Sequence, residues 1–492
     1  MTNTGQITLG EIASNIHATT NVPPLAIGGI TLDSNEVQPG VLFVALAGST
    51  HHGIEFVENA LSRGAAGVWT DTATADRVPQ NVPKLISDNI RADLGRVAAD
   101  IYGNPTRSLD LVGITGTQGK TTATFLAEAA ARGAGVIPAI IGTVGTTING
   151  VPEASQLTTP EAPALQALFA KMVAKNVQLC AMEVSSHALI QGRVKGAEFD
   201  VAVFLNLGRD HLDFHGDVDQ YFQAKAKLFE SDLSKRGLIS IDDEFGQRLA
   251  NSTKIEKATL SAKGHVADWM AVNIRPHRLG SRAEIITPDR VSYELEVPLV
   301  GAFNVANALA AVASLSYFGY DIEQLCEGIA GAGGIPGRME RIDVGQDFLV
   351  VVDYAHKPDA VQAALHALRP VTTGKLIIVL GAGGDRDRGK RPMMGEMAAN
   401  EADVLVVTDD NPRTEDPATI RAALISGARG GSAEIVEIPD RRQAIERALA
   451  MAQEGDTIIV AGKGHEKGQE VNGEVFDFDD AEVVREWLGA RR

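Results

Sequence analysis

The stretch Gly113-Ile-Thr-Gly-Thr-Gln-Gly-Lys-Thr-Thr122 decides the fold of the middle of this chain. The apolar run Leu109–Ile114 leads into it and predicts a strand, and the Ala-rich segment Thr122–Arg132 that follows predicts a helix. Small residues between a strand and a helix let successive backbone N–H groups converge on phosphate oxygens, where the helix N-terminus adds positive potential. Lys120 adds a mobile positive charge, and Thr121 places a hydroxyl where a magnesium ion bridges phosphates. The stretch therefore predicts a phosphate-binding loop.

The spacing of this stretch differs from that of the ordinary phosphate-binding loop. Ile114 stands where that motif has its first glycine, so the order here is Thr-Gly-Thr-Gln-Gly-Lys-Thr. A glycine turn without catalytic meaning is the alternative, and the flanking strand and helix argue against it. The residues that we expect to bind ATP here are Gly116, Thr117, Gln118, Gly119, Lys120, Thr121 and Thr122.

Composition limits the classes of protein to which the chain can belong. Its 492 residues predict about three domains, and 44% hydrophobic residues are ample for buried cores. The net charge of −18 argues against a sequence-independent nucleic-acid binder, which needs a basic face. The cysteines, Cys180 and Cys326, lie in apolar segments, which predicts buried thiols in a reducing compartment rather than a disulfide or a metal site.

Signals for export or membrane insertion are not evident in the sequence. Met1–Ile7 shows neither the basic nor the apolar segment of an export signal. No apolar run reaches the ~20 residues that a membrane span requires. We therefore expect a cytoplasmic protein without a membrane span.

The pattern of apolar runs predicts three domains of the α/β class. Residues 1–105 alternate short apolar runs with turns, and the loop Tyr102–Ser108 has the composition of a linker. Residues 106–337 combine the phosphate loop with buried strands and helices, which predicts a P-loop ATPase-like domain with a mostly parallel sheet. Residues 338–492 alternate apolar runs with helix-length segments, the pattern of a Rossmann-like, doubly wound domain whose loops line a ligand crevice.

Two polar clusters in the second region follow predicted strands and suit a metal site. Glu183 ends one apolar run, and the segment Asn206–His215, which contains Asp210 and His211, ends another. Hard divalent cations prefer oxygen ligands, and magnesium usually keeps several waters. Thr121 and Glu183 are therefore candidate ligands for a magnesium ion that also holds ATP, and His211 suits a second metal position. Helix caps and loop hydrogen bonds are the alternative for each residue taken alone.

Two further residues stay ambiguous on chemistry alone. Lys225 lies in the predicted amphipathic helix Tyr221–Phe229 and is interpreted most simply as a solvated surface lysine, with no reason in composition to prefer it to Lys227. Asn304 begins another predicted helix. Its amide has donors and an acceptor that can contact an adenine edge, but an N-cap is an equally good interpretation.

Taken together, these motifs resemble those of the Mur ligases, which are ATP-dependent amino-acid ligases of peptidoglycan precursor synthesis. The motifs occur in family order from about residue 33 to residue 466: Thr-Gly-Thr-x-Gly-Lys-Thr, Glu-Val-Ser-Ser-His, Asn-Leu-x-x-Asp-His-Leu-Asp, Ala-Lys, Gly-x-Phe-Asn-x-x-Asn, Pro-Gly-Arg-Met-Glu and Asp-Tyr-Ala-His. As a set they are highly specific, and they span nearly the whole chain.

The resemblance implies roles for the residues at matching positions. The catalytic residues would be Lys120, Glu183, His211 and Lys225. Lys120 would hold the ATP phosphates, Thr121 and Glu183 would bind one magnesium ion, and His211 would bind a second. Lys225 would be carbamylated to N6-carboxylysine and help to hold that second ion, which overrides its interpretation as a surface lysine. The remaining nucleotide contacts would come from Asn304 at adenine, Arg338 at the γ-phosphate and Asp353 at the ribose.

The segment Thr408–Arg413 indicates which amino acid is added, because it resembles the signature of the family members that use meso-diaminopimelate. The far end of diaminopimelate is an amino-acid head. Arg413 offers a planar fork for its carboxylate, and Asp410 and Asn411 offer acceptors for its ammonium. Lysine lacks that carboxylate and would leave the arginine unpaired, a difference that polar sites discriminate by as much as ~10⁴-fold. An Asx-Pro turn with a surface arginine is the alternative.

The resemblance adds residues to the substrate sites. The diaminopimelate site would also include Arg386, Gly462 and Glu466. The UDP-MurNAc-dipeptide site would be formed by Ser34, Thr158, Thr159, Ser185, Gln191 and Arg193. Leu32–Ser34 and Gly48–His52 resemble the UDP-binding part of the family's N-terminal domains, although Asn35 stands where the family usually carries arginine.

The expected activity is the addition of meso-diaminopimelate to the D-Glu γ-carboxylate of UDP-MurNAc-L-Ala-D-Glu, with ATP as a substrate and two magnesium ions. We expect a monomer that acts on small molecules and has no nucleic-acid partner. The alternatives among enzymes are a lysine-adding form, another Mur ligase and a folylpolyglutamate synthetase. Arg413 argues against the first, and the Asp33-Ser34 region argues against the last. A nucleotide-dependent switch or kinase-like module that merely hydrolyses ATP is the alternative from another class.

Overall fold

The computed structural model describes residues 6–48, 51–154 and 157–490. Contacts group the chain into two compact units, Met1–Trp269 with Ala310–Asp321 and Met270–Leu309 with Ile322–Arg492. Both units combine helices with largely parallel sheets, which confirms the predicted α/β class. The division into three domains at residues 105 and 337 stays a prediction.

The N-terminal part of the first unit is a small sheet in the order β1-β5-β4-β3-β2, parallel except for β1. Its strands are β1 (Thr19–Thr20), β2 (Gly29–Thr31), β3 (Val41–Val44), β4 (Gly67–Thr70) and β5 (Lys84–Ile86), and its helices are α1 (Leu9–Asn15), α2 (Val57–Ser62) and α3 (Ile90–Ile101). Alternate residues of β3 enter different cores, since Leu42 and Val44 pack with α1 and α3, whereas Phe43 packs with α2.

The rest of the first unit contains the strands of the phosphate-binding region, in the order β13-β12-β11-β6-β10-β7-β8-β9. They are β6 (Asp110–Thr115), β7 (Pro138–Gly142), β8 (Gly145–Ile148), β9 (Val151–Glu153), β10 (Leu179–Glu183), β11 (Phe199–Phe204), β12 (Ser234–Ser240) and β13 (Glu256–Ser261). The helices are α4 (Lys120–Gly133), α5 (Ala162–Ala174), α6 (Ser186–Ile190), α7 (Leu212–His215), α8 (Val218–Ala226) and α9 (Glu244–Ser252).

The order of these strands positions the phosphate loop. Strand β6 lies between β10 and β11 and is parallel to both, so the loop that leaves β6 is flanked by the carboxyl ends of its two neighbours. This is the point at which strand order reverses, where α/β sheets bind ligands. The sequence predicted a mostly parallel sheet that contains β6, β10 and β11, and it predicted α4. It did not predict the parallel strands β12 and β13 or the antiparallel additions β8 and β9.

The second unit begins with an antiparallel meander that the sequence analysis did not predict. It consists of β14 (Trp269–His277), β15 (Gly280–Ile286) and β16 (Ser292–Val297). Two helices follow, α10 (Ala302–Ser316), which is assigned to the first unit from Ala310 onward, and α11 (Ile322–Ala330). The alternation of apolar and polar residues along these strands is masked by charged positions such as Arg275 and Glu284, so no long apolar run marks them.

The C-terminal sheet has the order β17-β18-β22-β19-β20-β21 and is parallel except for β17. The strands are β17 (Glu340–Arg341), β18 (Leu349–Asp353), β19 (Leu376–Leu380), β20 (Val404–Val407), β21 (Glu434–Glu437) and β22 (Thr457–Ala461), and a separate hairpin pairs β23 (Gly468–Val471) with β24 (Glu474–Asp477). The helices are α12 (Pro358–Leu368), α13 (Lys390–Glu401), α14 (Pro417–Ala428), α15 (Arg441–Met451) and α16 (Asp480–Gly489).

Two apolar cores, one on each face, confirm the predicted doubly wound arrangement of this sheet. Strand order reverses between β19 and β22, so the loops after β19, β20 and β22 meet at one edge. Cys180 and Cys326 are buried and form no disulfide, as predicted. No helix in the described part of the chain has the length and apolar character that crossing a membrane requires.

Candidate active site

The phosphate loop turns directly from β6 into α4. Gly119 adopts a left-handed conformation (φ 87°) at the helix N-cap, which a side chain would strain. Helix α4 then begins at Lys120, whose Nζ donates to the carbonyl oxygen of Gly116 at 2.9 Å. The N-terminus of a helix carries positive potential, so the start of α4 beside this loop favours binding of an anion.

Asn206 fixes the loop from the neighbouring strand β11. Its Oδ1 accepts a hydrogen bond from the backbone N–H of Gln118 at 2.9 Å, and its Nδ2 donates to the Gln118 carbonyl oxygen at 3.1 Å. The Thr117 hydroxyl accepts from the Gly208 N–H at 2.9 Å and lies 3.2 Å from the Tyr221 hydroxyl. The conformation of the loop is thus set by residues about 90 positions away in the sequence.

Thr121 and Glu183 lie together at the end of the loop. The Thr121 hydroxyl donates to Glu183 Oε1 at 2.9 Å, and Glu183 is fully buried at the end of β10. The backbone N–H and the hydroxyl of Thr143 hold the same carboxylate, at 2.8 Å and 3.1 Å. A hydroxyl and a carboxylate beside a phosphate-binding loop are the oxygen donors that magnesium prefers, so these residues fit the predicted ion.

Lys225 is buried, with 1% of its surface exposed, so the interpretation as a surface lysine is wrong. Its Nζ donates to the Gly116 carbonyl oxygen at 2.9 Å and lies 4.6 Å from the centre of the Tyr221 ring. Lys227 is only partly buried and lies in the 3-10 turn after α8. The tertiary structure therefore distinguishes two lysines that composition could not.

A cluster of histidines lies near Lys225. The ring of His187 is 4.7 Å from that of His211 and 5.5 Å from that of His215, measured between centres. His211 Nε2 lies 3.1 Å from Asp210 Oδ2, and about half of the His211 side chain is exposed. Burial lowers the pKa of His187 and of His215, which favours the neutral form of both rings.

Protein side chains alone do not complete a metal site here. Among the described residues, no three His, Cys, Asp or Glu side chains are grouped so that they could hold a metal ion. This fits a magnesium ion whose remaining ligands are phosphate oxygens and water. His211 and Lys225 fit a second ion only if Lys225 carries a carbamate, because an ammonium group is not a metal ligand.

Four of the residues expected at the UDP-MurNAc-dipeptide lie close to Glu183. The Thr158 hydroxyl is 3.0 Å from that of Thr143, and the Thr159 hydroxyl donates to the Glu183 carbonyl oxygen at 2.9 Å. Ser185 donates its backbone N–H to the Thr159 hydroxyl at 3.1 Å and caps α6, while Arg193 Nη1 donates to the Thr159 carbonyl oxygen at 3.2 Å.

The two other expected residues of this site lie farther along the first unit. Gln191 lines a cavity of about 340 Å³ that also includes Arg91 and Lys195. Ser34 is buried in the turn that follows β2, where its hydroxyl accepts from Asn59 Nδ2 at 2.9 Å. Ser49 and Thr50, which belong to the Gly48–His52 motif, lie outside the described residues.

The second unit holds the other residues expected at the nucleotide. Asn304 is the third residue of α10, so the N-cap interpretation is wrong. Its buried Nδ2 donates to the Val300 carbonyl oxygen at 2.9 Å, and its Oδ1 accepts from Asn307 at 3.3 Å. Contacts with the described residues therefore leave one N–H and one lone pair of this amide unused.

Asp353 is the last residue of β18, and Arg338 lies against the next residue, Tyr354. Arg338 stacks over the Tyr354 ring at 4.6 Å and lies 3.5 Å from His465 Nδ1. The Asp353 carboxylate accepts from the backbone N–H groups of Met339 and Ala355, at 2.7 Å and 2.9 Å. Burial raises the pKa of Asp353, whereas burial and the Arg338 charge lower the pKa of His465 to about 4.

The loops after β20 and β22 bring together the residues expected at diaminopimelate. Asn411 Nδ2 donates to Glu466 Oε2 at 2.9 Å, and Asn411 Oδ1 accepts from the buried Lys463 Nζ at 2.9 Å and from the Glu470 N–H at 3.0 Å. The two lone pairs of Oδ1 are therefore in use, so Asn411 has no acceptor left for the ligand's ammonium, contrary to expectation. Asn411 instead positions Glu466 and the β23 backbone.

Arg413 has a left-handed backbone (φ 54°), which is uncommon for a residue other than glycine. Its Nε donates to Glu470 Oε2 at 3.1 Å, and its Nη1 donates to the Gly384 carbonyl oxygen at 2.7 Å. Only 21% of its side chain is exposed, so the interpretation as a surface arginine on an Asx-Pro turn is wrong. Arg386 is exposed. Both arginines lie beside Gly383, because a Cβ on that glycine would be 3.8 Å from Arg386 Cγ and 3.0 Å from Arg413 Nη1.

Asp410 lies close to both Gly462 and the buried Arg441. A Cβ on Gly462 would come within 2.6 Å of Asp410 Oδ2, so the glycine is required for this approach. Arg441 is fully buried and paired with Asp480 at 2.7 Å and 2.8 Å. Its Nη1 has no hydrogen-bond partner among the described residues and lies 4.0 Å from Asp410 Oδ2.

Comparison with known proteins identifies the family. The family profiles "Mur ligase family, catalytic domain", "Mur ligase middle domain" and "Mur ligase, glutamate ligase domain" match residues 26–102, 114–315 and 337–464. A Streptomyces avermitilis protein named UDP-N-acetylmuramoyl-L-alanyl-D-glutamate--2,6-diaminopimelate ligase is 48% identical, over 97% of this chain and 96% of its own length. The chain belongs to the Mur ligase family.

Other Mur ligases extend the comparison. A Geobacillus thermodenitrificans protein of the same name is 42% identical over 95% of this chain and 96% of its own. A solved structure of a UDP-N-acetylmuramoyl-L-alanyl-D-glutamate--2,6-diaminopimelate ligase has a TM-score of 0.71, with 32% identity and 99% of each chain covered. A MurF structure from Acinetobacter baumannii, at 19% identity and a TM-score of 0.69, shares the fold.

Several residues around the Mur ligase motifs were missed as functional candidates. Asn206 begins the Asn-Leu-x-x-Asp-His-Leu-Asp motif, and Lys463 lies between the expected site residues Gly462 and Glu466, so polar side chains at strand ends were a signal that could have found both. Thr143 and Glu470 lie outside the motifs, and only the tertiary contacts with Glu183 and Arg413 reveal them.

Proposed function

We propose that this Mur ligase is of the diaminopimelate-adding, MurE type. It joins meso-diaminopimelate to the D-Glu γ-carboxylate of UDP-MurNAc-L-Ala-D-Glu, with ATP as the energy source. The observation that carries the proposal is the position of Arg413, a partly buried guanidinium held at the edge where the loops after β20 and β22 meet. A carboxylate is the partner that this fork fits best.

The chemistry has two steps. The γ-carboxylate oxygen attacks the γ-phosphorus of ATP, and ADP leaves, which forms an acyl phosphate. The amine of diaminopimelate then attacks the acyl carbon and loses a proton, and inorganic phosphate leaves as the amide forms. Phosphorylation is needed because a free carboxylate is a poor electrophile. The protein acts mainly by positioning the reactants and neutralising their charge.

The side chains of the first unit would supply much of that neutralisation. Lys120 and the N-terminus of α4 would bind the phosphates, and the Thr121–Glu183 pair would hold a magnesium ion. Magnesium bound there would offset phosphate charge. We also propose a second magnesium ion, which His211 and carbamylated Lys225 would hold. A carbamate leaves one N–H on Nζ, so the bond to the Gly116 carbonyl oxygen can persist.

The remaining contacts would divide between the units. In the first unit, the UDP-MurNAc-dipeptide would bind Ser34, Thr158, Thr159, Ser185, Gln191 and Arg193. In the second, ATP would bind Asn304, Arg338 and Asp353. Diaminopimelate would bind Arg386, Asp410, Arg413, Gly462 and Glu466, and Asn411 would hold Glu466 in position. We place the reaction in the cytoplasm, on small-molecule substrates, and propose a monomer.

The proposal is tested by measuring phosphate release with a panel of amino acids. Wild-type protein should release phosphate from ATP only when both the UDP-dipeptide and an amino acid are present, and meso-diaminopimelate should give the highest rate. Faster turnover with L-lysine would overturn the assignment of the amino acid. Phosphate release that is independent of both substrates would instead indicate a nucleotide-dependent switch.

A further inference from the structure

Glu470 lies on strand β23 of the hairpin, and its side chain contacts Arg413. Its backbone is fixed on both sides, because its N–H donates to Asn411 Oδ1 at 3.0 Å and its carbonyl oxygen accepts from the Arg413 N–H at 3.0 Å. The hairpin is further tied to this loop by Asn472, whose N–H donates to the Arg413 carbonyl oxygen at 2.7 Å. The side chain of Glu470 is thus held at a defined distance from Arg413.

The two side chains form an incompletely satisfied charge pair. Glu470 uses Oε2 to accept from Arg413 Nε, and Oε1 accepts no hydrogen bond from any residue that the structure describes. Arg413 commits Nε and one N–H of Nη1, and its Nη2 has no partner in the described ranges. About 40% of the Glu470 side chain is exposed, so both residues retain capacity for a ligand.

The neighbouring acceptors are more heavily engaged than Glu470. Asn411 Oδ1 already accepts two hydrogen bonds. Glu466 accepts from Asn411 Nδ2 at 2.9 Å and from the Tyr354 hydroxyl at 3.4 Å, and it also lies 3.4 Å from the Lys463 ammonium. Asp410 is only 8% exposed. The carboxylate with the most free capacity beside Arg413 is therefore that of Glu470.

We propose that Glu470 and Arg413 together recognise the distal amino-acid head of the substrate, with Glu470 as the acceptor for its ammonium. The head is a zwitterion, so a fixed pair of opposite charges complements it without leaving either partner uncompensated. This inference rests on the proposed function. The Glu470–Arg413 pair also limits the discrimination against lysine. When the ligand has no distal carboxylate, Glu470 still compensates the charge of Arg413.

Two analogues separate the charges of the head. L-Lysine retains the distal ammonium and lacks the distal carboxylate, whereas L-2-aminopimelate retains the carboxylate and lacks the ammonium. In the variant Glu470→Gln, kcat/KM should fall roughly 10-fold or more for meso-diaminopimelate and for L-lysine, because a charge-assisted hydrogen bond is lost. For L-2-aminopimelate, kcat/KM should stay within about 2-fold of the wild-type value, because this analogue has no distal ammonium for Glu470 to bind.

The control variant is Glu474→Gln, which removes an exposed carboxylate from the facing strand β24. It should leave kcat/KM unchanged for all three amino acids, and both variants should unfold at the wild-type temperature. An equal loss for meso-diaminopimelate and L-2-aminopimelate in Glu470→Gln would overturn the inference, as would an unchanged kcat/KM for meso-diaminopimelate. Failure of the wild-type protein to use meso-diaminopimelate at all would refute the proposed function itself.

Discussion

Lys120 and Lys225, which are 105 residues apart, both donate a hydrogen bond from Nζ to the carbonyl oxygen of Gly116, each at 2.9 Å. One lysine begins α4 and the other lies near the end of α8. Two ammonium groups on one carbonyl oxygen repel each other. A carbamate on Lys225 would remove this repulsion, because it replaces the ammonium group by a carboxylate that is bonded to Nζ.

Replacement of Lys225 tests whether its carbamate or its charge matters. Lys225→Ala should lower kcat by roughly 10²-fold or more, since a group that stabilises charge in the site is lost. Lys225→Arg should lose as much, because arginine keeps the positive charge but does not carry a carbamate. Excess bicarbonate should not restore either variant in a phosphate-release assay. NMR with ¹³C-bicarbonate should show a carbamate signal in the wild type and in neither Lys225 variant.

Lys227→Ala is the matched control, because Lys227 is two residues away and only partly buried. It should keep wild-type kcat and the carbamate signal. Wild-type activity in Lys225→Arg would refute the carbamate.

Removal of the Asn206 side chain should weaken ATP binding. Asn206→Ala deletes both hydrogen bonds to the Gln118 backbone, so the loop loses its preorganised shape. We expect KM for ATP to rise about 10-fold or more, because roughly 1–3 kcal/mol of hydrogen bonding is lost. The measurement is KM for ATP at saturating UDP-dipeptide and diaminopimelate. Asn251→Ala, on the exposed end of α9, should not change it. A normal KM in Asn206→Ala would show that the loop holds its shape without this contact.

Arg413→Ala should remove the use of diaminopimelate while ATP binding is kept. We expect kcat/KM for meso-diaminopimelate to fall by roughly 10²-fold or more, because the bidentate partner of the distal carboxylate is absent. KM for ATP should stay at the wild-type value. Arg429→Ala removes an exposed arginine of the same unit and should be neutral. Retained selectivity for diaminopimelate over L-lysine in Arg413→Ala would place the carboxylate contact elsewhere.

His465 makes folding stability depend on pH in a defined window. Burial and the Arg338 charge lower its pKa from the ordinary value of 6.5 to about 4 in the folded state. Between these values the unfolded chain binds a proton that the folded chain does not, so stability falls as pH decreases from about 6.5 to 4 and is fully retained above that window. Urea unfolding across this range should show a smaller loss of stability for His465→Asn than for the wild type. Parallel curves for the two proteins would contradict the lowered pKa. His187 and His215, whose pKa values are also lowered, are common to both proteins and cancel in the comparison.

Local patterns in the sequence were sufficient to predict much of the fold. Long apolar runs bounded by glycine and polar residues predicted β6, β10, β11 and the parallel strands of the C-terminal sheet, because buried parallel strands are apolar on both faces. The meander β14–β16 was missed because its strands interleave charged residues such as Arg275 with apolar ones. Chain-local signals also cannot show that Asn304 lies inside its helix rather than at the cap, since capping depends on where the preceding backbone turns.

The sequence by itself determined the phosphate-binding loop, the α/β class and the motif order that marks a Mur ligase, because each depends on residues that are adjacent in the chain. Only the tertiary structure decided which lysine is buried, which acceptors beside Arg413 are already in use, and that Glu470 pairs with it. The physical reason is that hydrogen-bond capacity and burial are set by partners distant in sequence. Lys225 meets Gly116, and Asn411 meets Lys463, only after the sheets have formed.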